Sequence, residues 1–189
     1  MAWTGHIYYL HGGIIEEQGA NGVSPKYGAY DYGGILASLR SPGVTVLSEL
    51  RPKGTDASAY ADRIVDQIRA DLARGVPAAR IKVIGASKGA VIAALVSTRL
   101  EEPQIAYVLL ANCNDWLIRT HNPRLSGNVL SIYDAADEIG KSCDNVRRNA
   151  SPYLARYEEI RLTTGLGHGF VYNARPEWVE PAIRWAQDR

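Results

Sequence analysis

The chain has 189 residues, 46% of them apolar and 22% charged, and 21 Lys and Arg against 20 Asp and Glu leave a net charge of +1. That composition suits one globular domain over residues 1–189 and lacks the basic excess of a nucleic-acid surface or a polybasic membrane anchor. No stretch approaches the roughly 20 apolar residues of a membrane-spanning helix, and the amino terminus shows no signal-peptide pattern.

The first strand is expected at His6–Leu10, a β-branched and aromatic run that ends in His11-Gly12-Gly13. A glycine pair after a strand permits unusual backbone angles and close approach by a ligand. A long loop, Ile14–Tyr27, follows and carries Glu16 and Glu17; Tyr30–Leu39 then reads as a helix. A second strand is expected at Val44–Leu50. It leads into Arg51-Pro52-Lys53-Gly54, where Arg51 or Lys53 meets an anionic part of a ligand or forms a surface salt bridge.

The clearest helix spans Asp56–Arg74. Tyr60, Ile64, Ile68 and Leu72 recur every four residues, with polar residues opposite. Thr55 or Asp56 can cap its start and Gly75 its end. A strand at Ile81–Ile84 runs into Gly85-Ala86-Ser87-Lys88-Gly89 and then a helix, Lys88–Leu100, that is apolar on more than one face. Strands at Ile105–Leu110, Val129–Tyr133 and Glu158–Leu162 follow, with a helix at Asn145–Arg156 and another after Pro176. The alternation predicts an α/β fold: an open, mostly parallel, doubly wound sheet of about six strands with helices on both faces. Functional groups then gather on loops at the carboxyl ends of the strands.

Gly85-Ala86-Ser87-Lys88-Gly89 is G-x-S-x-G between strand and helix, the context that gives the motif meaning. Small residues let strand and helix approach closely, and the amino end of the helix favours developing negative charge beside the serine. It is not a phosphate loop, because G-x-x-x-x-G-K-[ST] is absent. Of the four histidines, His168 sits among glycines in a late strand-end loop and is the expected general base. His6 opens a strand, His121 lies in a polar connection, and His11 is tied to its own turn. Asp137, after the Val129–Tyr133 strand, is the expected partner of His168, with Asp134 and Asp115 as the other carboxylates at strand ends. No paired-histidine spacing supports a metal site from His11, His168 and a carboxylate, so no metal or cofactor is expected.

Four segments in this order, IYYLHGG, VIGASKGA, SIYDAADEIG and GLGHGF, resemble the α/β-hydrolase superfamily. The resemblance covers nearly the whole chain and implies a serine hydrolase without a lid. The connection from Asn112 to Asn128 is too short for a cap domain, and the two edge strands that larger members place before the first strand are missing. It implies Ser87 as nucleophile, His168 as base and Asp137 as acid. The backbone N–H of Lys88 and that of Gly13 would form the oxyanion hole, with Ile14 as a further donor or substrate contact. Ester cleavage through an acyl-enzyme on a small-molecule substrate is the implied activity. A thioesterase, amidase or acyltransferase would use the same residues, and a binding module that lost turnover would keep the fold. Cys113 and Cys143 follow successive strands and are either bridged, which favours a secreted or periplasmic setting, or free, as in the cytoplasm. The cytoplasm is the default expectation.

Overall fold

The computed structural model describes residues 3–187. In chain order the elements are β1 (Gly5–Leu10), α1 (Gly13–Gln18), β2 (Val23–Ser24), β3 (Gly28–Ala29), α2 (Tyr32–Leu39), β4 (Val44–Leu47), α3 (Ala57–Ala73) and β5 (Ile81–Ala86). They continue with α4 (Lys88–Leu100), β6 (Ala106–Leu110), α5 (Asp115–His121), β7 (Gly127–Asp134), α6 (Asp144–Arg147), β8 (Leu154–Leu162), a 3-10 segment Gly167–Tyr172 and α7 (Pro176–Arg184). Six strands form one sheet in the order β4-β1-β5-β6-β7-β8. Every neighbouring pair in it is parallel, and β2 and β3 form a separate antiparallel hairpin.

The side-chain alternation of the strands divides the core into two layers. Tyr8, Leu10, Val83, Tyr107, Leu109 and Val129 face α3 and α4. Ile7, Tyr9, Ile84, Val108, Leu110 and Ile132 face α2 and α7. Central β5 and β6 are buried along their whole length, which is why their sequences show no polar alternation. On α3, Ala61, Ile64, Val65 and Ile68 are buried, and Asp56 caps the helix by accepting from Ala59 N–H at 2.7 Å. All six sheet strands run the same way, so Gly12-Gly13, Ser87, Asn112 and Asp137 lie at one edge, each in the loop that follows a strand.

Several expectations are corrected. The supposed loop Ile14–Tyr27 contains most of α1 and the strand β2, with β3 just beyond it. The strand expected at Val44–Leu50 ends at Leu47, opposite Tyr8. The helix expected over Asn145–Arg156 is one turn, Asp144–Arg147; Leu154 already pairs with Gly127 as β8 begins. Between β6 and β7, the connection read as polar holds α5. Asn114 caps it by accepting from Leu117 N–H at 3.0 Å, and left-handed Asn122 ends it.

Candidate active site

Ser87 occupies the turn between β5 and α4 with φ 52° and ψ −117°, a conformation that L residues rarely adopt. The neighbouring glycines make that turn possible. A Cβ on Gly85 would lie 2.2 Å from Gly89 O, and a Cβ on Gly89 would lie 1.9 Å from Leu10 O. The spacing G-x-S-x-G is therefore a backbone-clearance requirement: β5 must pass α4, and α4 must pass the end of β1. Ser87 N–H donates to Leu110 O at 2.9 Å, which ties the turn to the neighbouring strand.

His168 comes from the 3-10 segment after β8, where left-handed Gly167 brings the chain over Ala136 and Asp137. His168 Nδ1 lies 2.8 Å from Asp137 Oδ2, and its Nε2 lies 2.8 Å from Ser87 Oγ. The carboxylate can only accept, so Nδ1 carries the proton and Nε2 faces the serine hydroxyl as acceptor. Asp137 and His168 are both buried. Burial pushes the Asp137 carboxyl up. The hydrogen bond and charge of His168 and the N–H groups of Ile139 and Gly140 outweigh it and hold it below the usual carboxylate range. Asp134 and Asp115 stand elsewhere. Asp134 accepts from Thr164 and Ala136, and Asp115 begins α5.

The Gly12-Gly13 turn lies against this serine. A Cβ on Gly12 would be 3.8 Å from Ser87 Cβ, and one on Gly13 would be 3.9 Å from Lys88 Cβ. Gly13 and Lys88 each open a helix, so neither N–H has an intrahelical acceptor. Tyr30 steadies the turn, its hydroxyl accepting from Gly12 N–H at 3.3 Å while bonding to the Tyr9 hydroxyl. Ile14 is half-buried in the first turn of α1.

Of Arg51 and Lys53, expected to meet a ligand or to form a surface salt-bridged turn, Lys53 does form a surface pair, with Glu17, while Arg51 is drawn inside, where its pair with Glu16 is buried. Arg51 is buried; its Nε donates to Glu16 Oε2 at 2.7 Å and its Nη2 to His11 O at 2.5 Å. Glu16 also accepts from Lys88 Nζ at 2.6 Å, and Lys88 Nζ reaches Thr55 O at 2.6 Å. His11 is a strut in this network. Its Nδ1 donates to Gly12 O at 2.9 Å, and its Nε2 accepts from Arg51 N–H at 3.0 Å. Burial, then the Arg51 charge, pulls the His11 imidazole down to about 4. The assembly braces α1 and α4 against each other through Glu16 of α1 and Lys88 of α4. Lys53 pairs with Glu17 at the surface, 2.9 Å apart.

Sequence reasoning missed the residues of the adjoining cleft. A cavity of about 250 Å³ beside Ser87 is lined by Ala57, Lys88, Val91, Ala111, Asn112, Asn114, Trp116 and Ile139. Trp116 and Ile139 are exposed apolar side chains at its rim. The only signal in the sequence was position: Asn112 and Asn114 follow a strand end. Behind this wall Cys113 and Cys143 are disulfide-bonded, with Cα atoms 4.9 Å apart.

No protein-family model and no curated protein sequence matches the chain. Solved structures do. The esterase Pf2001 of Pyrococcus furiosus superposes with a TM-score of 0.63 at 16% identity, over 97% of this chain and 82% of that one. SOBER1 of Arabidopsis thaliana superposes with a TM-score of 0.61 at 12% identity, over 96% and 100% of the two chains. The fold is that of the α/β hydrolases. Est1E of Butyrivibrio proteoclasticus, solved with ferulic acid bound, matches this α/β-hydrolase fold with a TM-score of 0.60 at 14% identity, over 96% of this chain and 87% of its own. Such identities speak for the architecture alone. Among the described residues no helix is long and apolar enough to cross a membrane.

Proposed function

We propose that the protein is a serine hydrolase that cleaves a small carboxylic ester through an acyl-enzyme. The observation that carries this reading is one imidazole held between two partners, with Nδ1 on Asp137 and Nε2 2.8 Å from Ser87 Oγ. Ser87 Oγ attacks the ester carbonyl while His168 Nε2 takes its proton. Asp137 holds the tautomer and stabilises the imidazolium. The carbonyl oxygen gains negative charge and is met by the N–H groups of Lys88 and Gly13, with Ile14 next in line. His168 returns the proton to the departing alcohol. Water, activated by the same imidazole, then releases the acid from Ser87. Net positive charge from Arg51 and Lys88 against Glu16, behind the turn, favours the oxyanion. One of the structural neighbours, Pf2001, is an esterase, which agrees in reaction class. The Cys113–Cys143 bridge favours a secreted or periplasmic setting over the cytoplasm.

The test is hydrolysis of p-nitrophenyl acetate and butanoate by the wild type and by Ser87→Ala, with fluorophosphonate labelling alongside. Turnover that disappears in the variant, with a covalent adduct on Ser87, is the expected result. Equal rates for both proteins, or folded wild type that is neither labelled nor active, would refute the reading.

A further inference from the structure

The cleft beside Ser87 is lined by one residue with a buried side-chain polar atom that lacks a partner among the described residues. Of its polar lining residues, Ser87 bonds to His168, Lys88 to Glu16 and Thr55, and Asn114 to the Ile139 carbonyl and Leu117 N–H. Asn112 differs. The residue is 4% exposed, and its buried Nδ2 has no hydrogen-bond partner among the described residues. Buried donors are almost always paired, so an orphan at a cleft calls for an explanation.

The backbone around it is strained. Ala111 has φ 54° and Cys113 has φ 47°, so both neighbours of Asn112 sit in the left-handed region without being glycine. Such strain persists only where surrounding structure enforces it, and it gathers at ligand sites. The enforcing structure is the segment 140–143. Gly140 lies so close under Ala111 that a Cβ there would be 2.5 Å from Ala111 C. Lys141 N–H donates to Asn112 O at 2.7 Å, and Cys143 is bonded to Cys113. Asn112 is thus presented from behind, while its amide is left unpaired.

The cleft also has a side. His168 must reach the leaving oxygen, yet it contributes nothing to this lining. The leaving alcohol therefore lies toward His168, and the cleft is left for the acyl part. Its walls, Ala57, Val91, Ala111, Trp116 and Ile139, suit a short apolar chain. We propose that Asn112 determines acyl specificity by bonding one further oxygen, a hydroxyl or carbonyl, on a short apolar acyl group. The inference rests on Ser87 being an acyl-transfer nucleophile. Rotation about χ2 turns the amide into the cleft without breaking any bond of Nδ2, and that torsion is soft.

The experiment compares p-nitrophenyl butanoate with p-nitrophenyl 3-hydroxybutanoate. The wild type is expected to favour the hydroxylated ester about tenfold in kcat/KM. In Asn112→Leu and Asn112→Ser, each checked for folding by thermal melting, the ratio should fall to near one. An indifferent wild type, or a preference that survives both substitutions, overturns the proposal. Binding of the two free acids to Ser87→Ala, followed by isothermal titration calorimetry, separates its failure from that of the hydrolase reading. Selective binding of 3-hydroxybutanoate without turnover in the wild type supports the Asn112 site and refutes the hydrolase. Turnover without selectivity refutes the Asn112 site alone. Neither turnover nor selective binding overturns both.

Discussion

Acid should destabilise this protein through His11 before it protonates the ordinary carboxylates. The imidazole is fully buried, with Nε2 accepting from Arg51 N–H, and it titrates at about 4 in the folded chain. In the unfolded chain it titrates at about 6.5. Between those values the unfolded state holds a proton that the folded state does not, so stability falls as pH falls. The slope is about 1.4 kcal/mol per pH unit, which gives a loss of about 2 kcal/mol on going from pH 7.5 to pH 5. For a chain of this size that is roughly 4–8 °C of melting temperature. The assay is thermal unfolding by circular dichroism at pH 7.5 and pH 5, for the wild type and for His11→Gln. Gln keeps an acceptor toward Arg51 N–H and cannot titrate, so every other group contributes equally to both proteins. The variant should be less stable at pH 7.5 yet lose clearly less on acidification. Identical acid losses in the two proteins would refute the placement of a neutral imidazole under the Gly12-Gly13 turn.

Glu16→Gln leaves the Arg51 and Lys88 cations without their shared anion, and breaking a buried pair of this kind costs about 3–5 kcal/mol; urea unfolding should show that loss. Asp137→Asn removes the carboxylate that fixes the His168 tautomer and should lower kcat by about 10³–10⁴-fold with little change in KM, read by ester hydrolysis. Reducing the Cys113–Cys143 bridge, which spans 30 residues of sequence, releases about 3–4 kcal/mol of loop-closure constraint. Intact mass should rise by two hydrogens with the loss of stability, and an unchanged melting curve after complete reduction would contradict it.

What the sequence made legible was what local backbone demands. Gly85 and Gly89 are dictated by contacts within and beside one turn, and the stripe on α3 by one helix against one sheet. The order of Ser87, Asp137 and His168 was readable because each follows a strand end. What stayed hidden depends on distant partners. Arg51 sits in a stretch with the look of a surface turn, and distant partners, Glu16 and His11, draw it inside. The helix expected at Asn145–Arg156 contains Pro152, which removes a backbone donor and disfavours a helix interior, and β8 pairs with β7 from Leu154 onward. α5 carried a readable cap at Asn114 but was too short for its periodicity to stand out. Nothing local distinguishes Asn112 from any polar residue after a strand.

The outer strand β8 has a consequence for how the molecule behaves in a crowd. Its free margin offers a row of amide donors and acceptors on which a foreign strand could template itself. Along it Arg156, Glu158 and Arg161 stand exposed, Arg156 bonding Glu158 and lying 4.4 Å from the centre of the Trp185 ring. Any strand docking there would have to strip water from those ionic groups, so the margin discourages fibrous stacking. Neutralising them would invite aggregation without altering Ser87, His168 or Asp137.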